Sequence, residues 1–172
     1  MPREPQTSWP TKGVKQIAGY APSDMLNGDG VRVSVFVAGC LFACQGCFNK
    51  SAQSFRGQLS YSPQFAAQVM ADLAKPYIRG LSLLGGEPML NTDICIPLAR
   101  RVRAELPDKD IWCWTGYEIE WLQEYGSPDQ KELLELLDVL VCGPYLHDLR
   151  DLNLRYRGSS NQRIIRKERK WN

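Results

Sequence analysis

The sequence predicts an α/β protein with a mainly parallel sheet, either open or only partly closed into a (β/α) barrel. Three observations support this. Short β-branched or apolar runs alternate with stretches of helical periodicity, and most of these runs end in glycine. The residues with the most distinctive chemistry follow directly after those ends. Strands separated by helices form β-α-β units, and in such folds ligands gather at the carboxyl ends of the strands.

Taken in order, residues 1–24 are rich in proline and polar side chains and read as an irregular extension. Asn27-Gly28-Asp29-Gly30 is a turn signal, and Val31–Val37 alternates β-branched residues as a strand does. Ser62 and Pro63 open a helix, as N-cap and first residue, with Phe65, Ala66, Val69, Met70 and Leu73 as its apolar stripe. Residues 81–84 form a second, buried strand ending in Gly85-Gly86. Asn91 or Thr92 caps a helix carrying Ile94, Leu98, Val102 and Leu106. Residues 110–115 are a third strand, stopped by Gly116. Residues 118–125 and 129–137 are helical, and 138–142 form a fourth strand closed by Gly143-Pro144. The core domain is read as residues 25–165, with a basic tail over 166–172.

The chain has 172 residues, enough for one domain with one sizeable core. Its net charge of +2 does not call for a nucleic-acid or membrane partner. No apolar run is long enough to span a bilayer, and Met1-Pro2-Arg3-Glu4-Pro5 lacks the apolar core of a signal peptide. The expectation is a cytoplasmic protein, where thiols stay reduced and clustered cysteines bind metal or catalyse.

Cys40, Cys44 and Cys47 share one loop after the first strand, spaced C-x3-C-x2-C. Thiolates are soft ligands suited to zinc or iron–sulfur clusters. Structural zinc normally takes four ligands, and ordinary clusters take four cysteines. A triplet with a gap fits a cluster whose fourth iron is left for another molecule. His147, Cys95, Cys113 and Cys142 remain as other candidates for a fourth ligand. Their simpler readings are a surface or partly packed histidine and three buried apolar thiols.

The cysteine triplet, with Gly85-Gly86-Glu87-Pro88 after the second strand, resembles the radical S-adenosylmethionine superfamily. The resemblance implies a full or partial (β/α) barrel and a [4Fe–4S] cluster on Cys40, Cys44 and Cys47. It also implies that the open iron chelates the amino and carboxylate groups of S-adenosylmethionine. The Gly85-Gly86-Glu87-Pro88 strand end would accept a hydrogen bond from that amino group. Glycines let backbone approach closely, and backbone carbonyls satisfy an ammonium-like donor. Glu87 taken alone has a simpler reading, a solvated loop charge.

Residues 31–40, Cys47-Phe48-Asn49-Lys50-Ser51, residues 110–117 and residues 157–163 narrow the resemblance. They are similar to the glycyl-radical enzyme activases that serve anaerobic ribonucleoside-triphosphate reductases. The implied partners are that reductase, as protein substrate, and a low-potential electron donor such as a flavodoxin or ferredoxin. The implied cofactor contacts are Gly46, Cys47, Phe48, Gly85, Gly86, Glu87 and Thr115, with Phe48 covering the adenine or the cluster. No catalytic acid or base is expected, since cluster and S-adenosylmethionine carry the chemistry. Trp112 or Trp114 reads as core packing. Residues 157–163 suit a binding loop, and the basic run after them a solvated tail. Relatives often carry an acid at the end of the fourth strand, where this chain has Cys142. Two other readings stay open: a small radical S-adenosylmethionine enzyme acting on a small molecule, and a zinc module completed by His147.

Overall fold

The computed structural model describes residues 15–168. The elements run β1 (Gln16–Asp24), β2 (Val31–Val37), β3 (Leu59–Ser60), α1 (Pro63–Leu73), β4 (Ile78–Gly85), α2 (Thr92–Glu105), β5 (Asp110–Trp114), α3 (Ile119–Tyr125), α4 (Pro128–Leu136), β6 (Val139–Cys142) and β7 (Arg163–Arg166). Short 3-10 turns occupy Lys50–Gln53, Pro88–Leu90 and His147–Leu149. All strands join one open sheet in the order β3-β1-β2-β4-β5-β6-β7. The central β2, β4, β5 and β6 are parallel, and β1 and β7 flank them antiparallel. The expected α/β class with a mainly parallel sheet is the observed one, open rather than closed.

The parallel strands have two unlike faces, because successive side chains point to opposite sides. Val33, Val35, Leu81, Leu83, Ile111, Cys113 and Leu140 are fully buried in one continuous core with Val69 and Leu73 of α1, Leu98 and Val102 of α2, and Leu133 of α4. The opposite face carries rows in register, Ser34–Ser82–Trp112–Val139 and Phe36–Leu84, with Trp114 beside Val141. It forms a second, aromatic cluster of Trp112, Val139 and Val141, with Trp114, Tyr156 and Ile164 packed on it.

Local chemistry sets the helix starts. The Ser62 hydroxyl accepts from the Phe65 N–H at 3.1 Å, with Pro63 in the first turn. At α4, Ser127 and Gln130 form a reciprocal capping box. Asn91 does not cap α2 through its side chain. Its amide instead donates to the Gly39 and Glu87 carbonyls at 3.3 and 2.9 Å, joining two loops.

Two stretches differ from expectation. Residues 16–24, read as irregular, form β1; residues 1–14 of that extension lie outside the described residues. Pro22 is tolerated because it falls in a break of the β1–β2 ladder, between the pairs Ala21–Ser34 and Asp24–Arg32. The basic stretch after residue 162 begins as β7. Ion pairs hold it: Arg163 to Glu118 and Glu120, Arg166 to Asp29, and Lys167 to Glu135. Residues 169–172 of the expected tail are outside the described residues.

Candidate functional site

At the carboxyl ends of the parallel strands lies a cavity of about 450 Å³. Cys40, Cys44 and Cys47 line one part of it, and Gly85, Gly86, Glu87, Thr115 and Gly116 another. Phe36, Leu84 and Trp114 supply an apolar wall from the sheet, and Tyr145, Tyr156, Arg157 and Gln162 line it from the C-terminal segment.

The cysteine loop is anchored where it leaves the sheet. The Gly39 and Cys40 N–H groups donate to the Ala52 and Gln53 carbonyls at 2.7 and 3.1 Å. Beyond that, a turn from Cys47 N–H to the Cys44 carbonyl at 3.1 Å shapes the loop, with Ala43 and Gly46 at φ 46° and 71°. All three thiols are free and half-buried. Burial, and then the charge of Glu87, pushes the Cys40 thiol up to about 12, and burial also raises Cys44. A metal must therefore displace a proton at Cys40 and at Cys44.

The opposite part is a close backbone crossing. Gly85 has φ 113°, and a Cβ there would lie 2.7 Å from the Phe36 Cα; a Cβ on Gly86 would lie 2.5 Å from the Gly39 carbonyl oxygen. Only glycine fits at both positions. Gly86 N–H donates to the Val37 carbonyl at 2.7 Å, and Glu87 N–H to Gly39 at 2.8 Å. Glu87, alternatively a solvated charge, is 2 % exposed. One carboxylate oxygen accepts from Met89 N–H at 2.9 Å and the Thr115 hydroxyl at 2.8 Å. The other accepts from Gly116 N–H at 2.8 Å. Burial pushes its pKa up to about 7 against those donors. Glu87 and Thr115 thus fasten the second strand end to the third.

The expected contact residues fall into three positions. Cys47, Gly85, Gly86, Glu87 and Thr115 line the cavity. Phe48 lines it too, yet is 84 % exposed, standing at its edge. Gly46 is not among the lining residues; a Cβ on it would lie 2.6 Å from Nδ1 of His147. His147, distant in sequence, therefore packs against the cysteine loop. Cys95, Cys113 and Cys142 are fully buried in the helix-side core. An acid approaches the end of β6 from another loop: a Cβ on Gly143 would lie 3.1 Å from Oε1 of Glu118, whose other carboxylate oxygen pairs with Arg163.

Sequence reasoning missed Phe36, Leu84, Tyr145, Tyr156 and Asn27 as lining residues. The available signal was strand alternation, since Phe36 and Leu84 share the face of Ser34 and Ser82. The Asn27 and Tyr156 positions depend on long-range contacts, including a 3.0 Å hydrogen bond from the Tyr156 hydroxyl to Asp29.

The donor set fits a cluster better than a single ion. Among the described residues, no three His, Cys, Asp or Glu side chains converge as one metal ion requires. Three soft thiol ligands instead share a cavity roomy enough for a larger group.

Comparison with known proteins agrees. A family model described as a 4Fe-4S single cluster domain matches residues 26–165. The anaerobic ribonucleoside-triphosphate reductase-activating protein of Pasteurella multocida is 41% identical over 151 residues, covering 86% of this chain and 94% of the relative. The proteins of that name from Escherichia coli K12 and Enterobacteria phage T4 are 40% and 39% identical, each covering 83% of this chain and 93% and 88% of the relative. The chain belongs to the family of anaerobic ribonucleoside-triphosphate reductase-activating proteins, built on a single 4Fe-4S cluster domain.

Proposed function

We propose that this chain is a radical S-adenosylmethionine activase that generates a glycyl radical on an anaerobic ribonucleoside-triphosphate reductase. The observation that carries the reading is geometric: three free thiols and the Gly85–Gly86 crossing line one cavity at the strand ends. Cys40, Cys44 and Cys47 would hold a [4Fe–4S] cluster. Gly85 and Gly86 would bring backbone against the methionine end of S-adenosylmethionine, and Phe48 would cover the bound group from the cavity edge. When bound and reduced, the cluster would supply the electron for reductive cleavage of the carbon–sulfur bond of S-adenosylmethionine, the chemistry by which hydrogen would be taken from a glycine of the partner.

The chain's own residues do three things. The cysteines fix the cluster to the end of β2. Glu87 and Thr115 hold the β4 and β5 ends at a fixed separation through their 2.8 Å hydrogen bond. Phe36, Leu84 and Trp114 give the cavity an apolar wall that keeps water from a reactive intermediate. No general base is called for. The electron would come from a low-potential donor of flavodoxin or ferredoxin type. Among the described residues no helix is long and apolar enough to cross a membrane.

Anaerobically reconstituted protein should bind iron and sulfide, cleave S-adenosylmethionine with a reductant, and place a glycyl radical signal on the reductase. Cys44→Ala should abolish cleavage while the fold remains. Cleavage by Cys44→Ala at the wild-type rate would sink the reading. Cleavage by the wild type without a radical on the reductase would point to a small-molecule substrate.

A further inference from the structure

Among the described residues lining the cavity, Arg157 is the only lysine or arginine. Its neighbours in the C-terminal segment have partners: Arg163 pairs with Glu118 and Glu120, Arg166 with Asp29, and Arg155 stacks on the Tyr156 ring at 5.1 Å. Arg157 pairs with no carboxylate among the described residues. One Nη donates to the Gln162 carbonyl at 2.9 Å, and the Nε is buried without a partner.

The backbone carrying Arg157 is held from both sides. Tyr156 is tied to Asp29 through its hydroxyl, and its carbonyl accepts from Trp114 Nε1 at 2.8 Å. Gly158 N–H donates to the Gln162 side chain at 2.8 Å, and that side chain donates to the Gly143 carbonyl at 3.0 Å. The guanidinium is therefore positioned by a fixed loop rather than free to find an acid elsewhere. Among the described residues lining the cavity the only acid, Glu87, already accepts from Met89, Thr115 and Gly116. The charge is left for an anionic group on the ligand.

We propose that Arg157 anchors the carboxylate of S-adenosylmethionine, which is the one anionic group of that molecule. The inference rests on the function proposed above. Arginine suits the task because its planar fork donates to carboxylate oxygens from more than one nitrogen. In this role Arg157 positions the ligand at the cluster and takes no part in bond breaking.

The test is anaerobic equilibrium dialysis on reconstituted wild type, Arg157→Ala and Arg157→Lys, each with S-adenosylmethionine and with its decarboxylated analogue. Arg157→Ala should weaken S-adenosylmethionine roughly tenfold to a hundredfold, the range for a lost charged hydrogen bond. Arg157→Lys should recover part of that loss by keeping the charge. The affinity for the decarboxylated analogue should be the same in wild type and Arg157→Ala. An equal loss for both ligands would assign Arg157 a purely structural role and overturn the inference, as would unchanged S-adenosylmethionine binding. In both cases cleavage by the wild type would leave the proposed function standing. Wild type that carries its cluster yet neither binds nor cleaves S-adenosylmethionine would overturn both.

Discussion

The two faces of the sheet solve different problems with the same strands. On the helix side, Val33, Val35, Leu81, Leu83, Ile111 and Cys113 form one apolar core with residues of α1, α2 and α4. On the other side, alternate residues of those strands are Arg32, Ser34, Ser82 and Trp112, all fully buried. There Arg32 donates to the Ser82 hydroxyl at 2.7 Å and the Leu81 carbonyl at 2.9 Å, and pairs with Asp110 at 2.6 Å. Its guanidinium lies 5.3 Å from the Trp112 ring, and Arg166 lies 5.0 Å from the same ring. The apolar face stabilises through area removed from water. The polar face contributes position: two of its buried hydroxyls hold the chain just before β2. The Ser82 hydroxyl holds the Asn27 carbonyl at 2.7 Å, and Ser34 holds Asp24 at 2.6 Å.

Substitutions on each face test this division. Arg32→Leu should cost the most, about 3–5 kcal/mol in urea unfolding, because the Ser82 hydroxyl, the Leu81 carbonyl and the Asp110 carboxylate, which keeps only Arg79, lose their donor together. A loss under about 1 kcal/mol would mean that the polar face tolerates change as an apolar core does. Leu83→Ala on the helix face should cost about 3 kcal/mol through the void it leaves. Its iron content after reconstitution should match the wild type; a fall in iron would show that the faces are coupled. Glu87→Gln should be less destabilising in urea unfolding at pH 8 than at pH 5, because ionising the buried wild-type carboxyl, whose pKa is raised to about 7, costs folded-state stability that the amide does not. Tyr156→Phe is the mildest, about 1 kcal/mol for the hydrogen bond to Asp29. Faster amide exchange over residues 150–162 in that variant, with β4 unchanged, would locate the effect in the C-terminal segment.

The parallel strands and the cysteine loop were legible because each is written in a contiguous run. Val31–Val37 shows β-branching directly, and three cysteines within eight residues need no fold to be noticed. β1 and β7 were not legible for a physical reason. Gly19 and Pro22 interrupt the β signal of β1, and the ladder absorbs them as irregularities. In β7, Arg163 and Arg166 read as a solvated charge run; their partners Glu118, Glu120 and Asp29 lie 43 to 137 residues away. Glu87 was legible as part of a motif but not as a buried carboxylate, since its donors come from the end of another strand. Arg157 carried a similar ambiguity: the sequence marked its segment as a binding loop, and only the packed cavity shows its charge unpaired.

The bond between Tyr156 and Asp29 spans 127 residues, and this has a consequence for the order of synthesis. A chain emerging from the ribosome presents Cys40, Cys44 and Cys47 early, while Tyr156, Arg157 and Gln162 are still to be made. Domains are synthesised from the N-terminus at about 5–20 residues per second, so the thiols precede the far wall of their cavity by several seconds. During that interval the cysteine loop lies open on one side. Loading of the metal centre has two distinct windows, before and after the C-terminal segment closes over Asp29, and only the second offers the finished cavity.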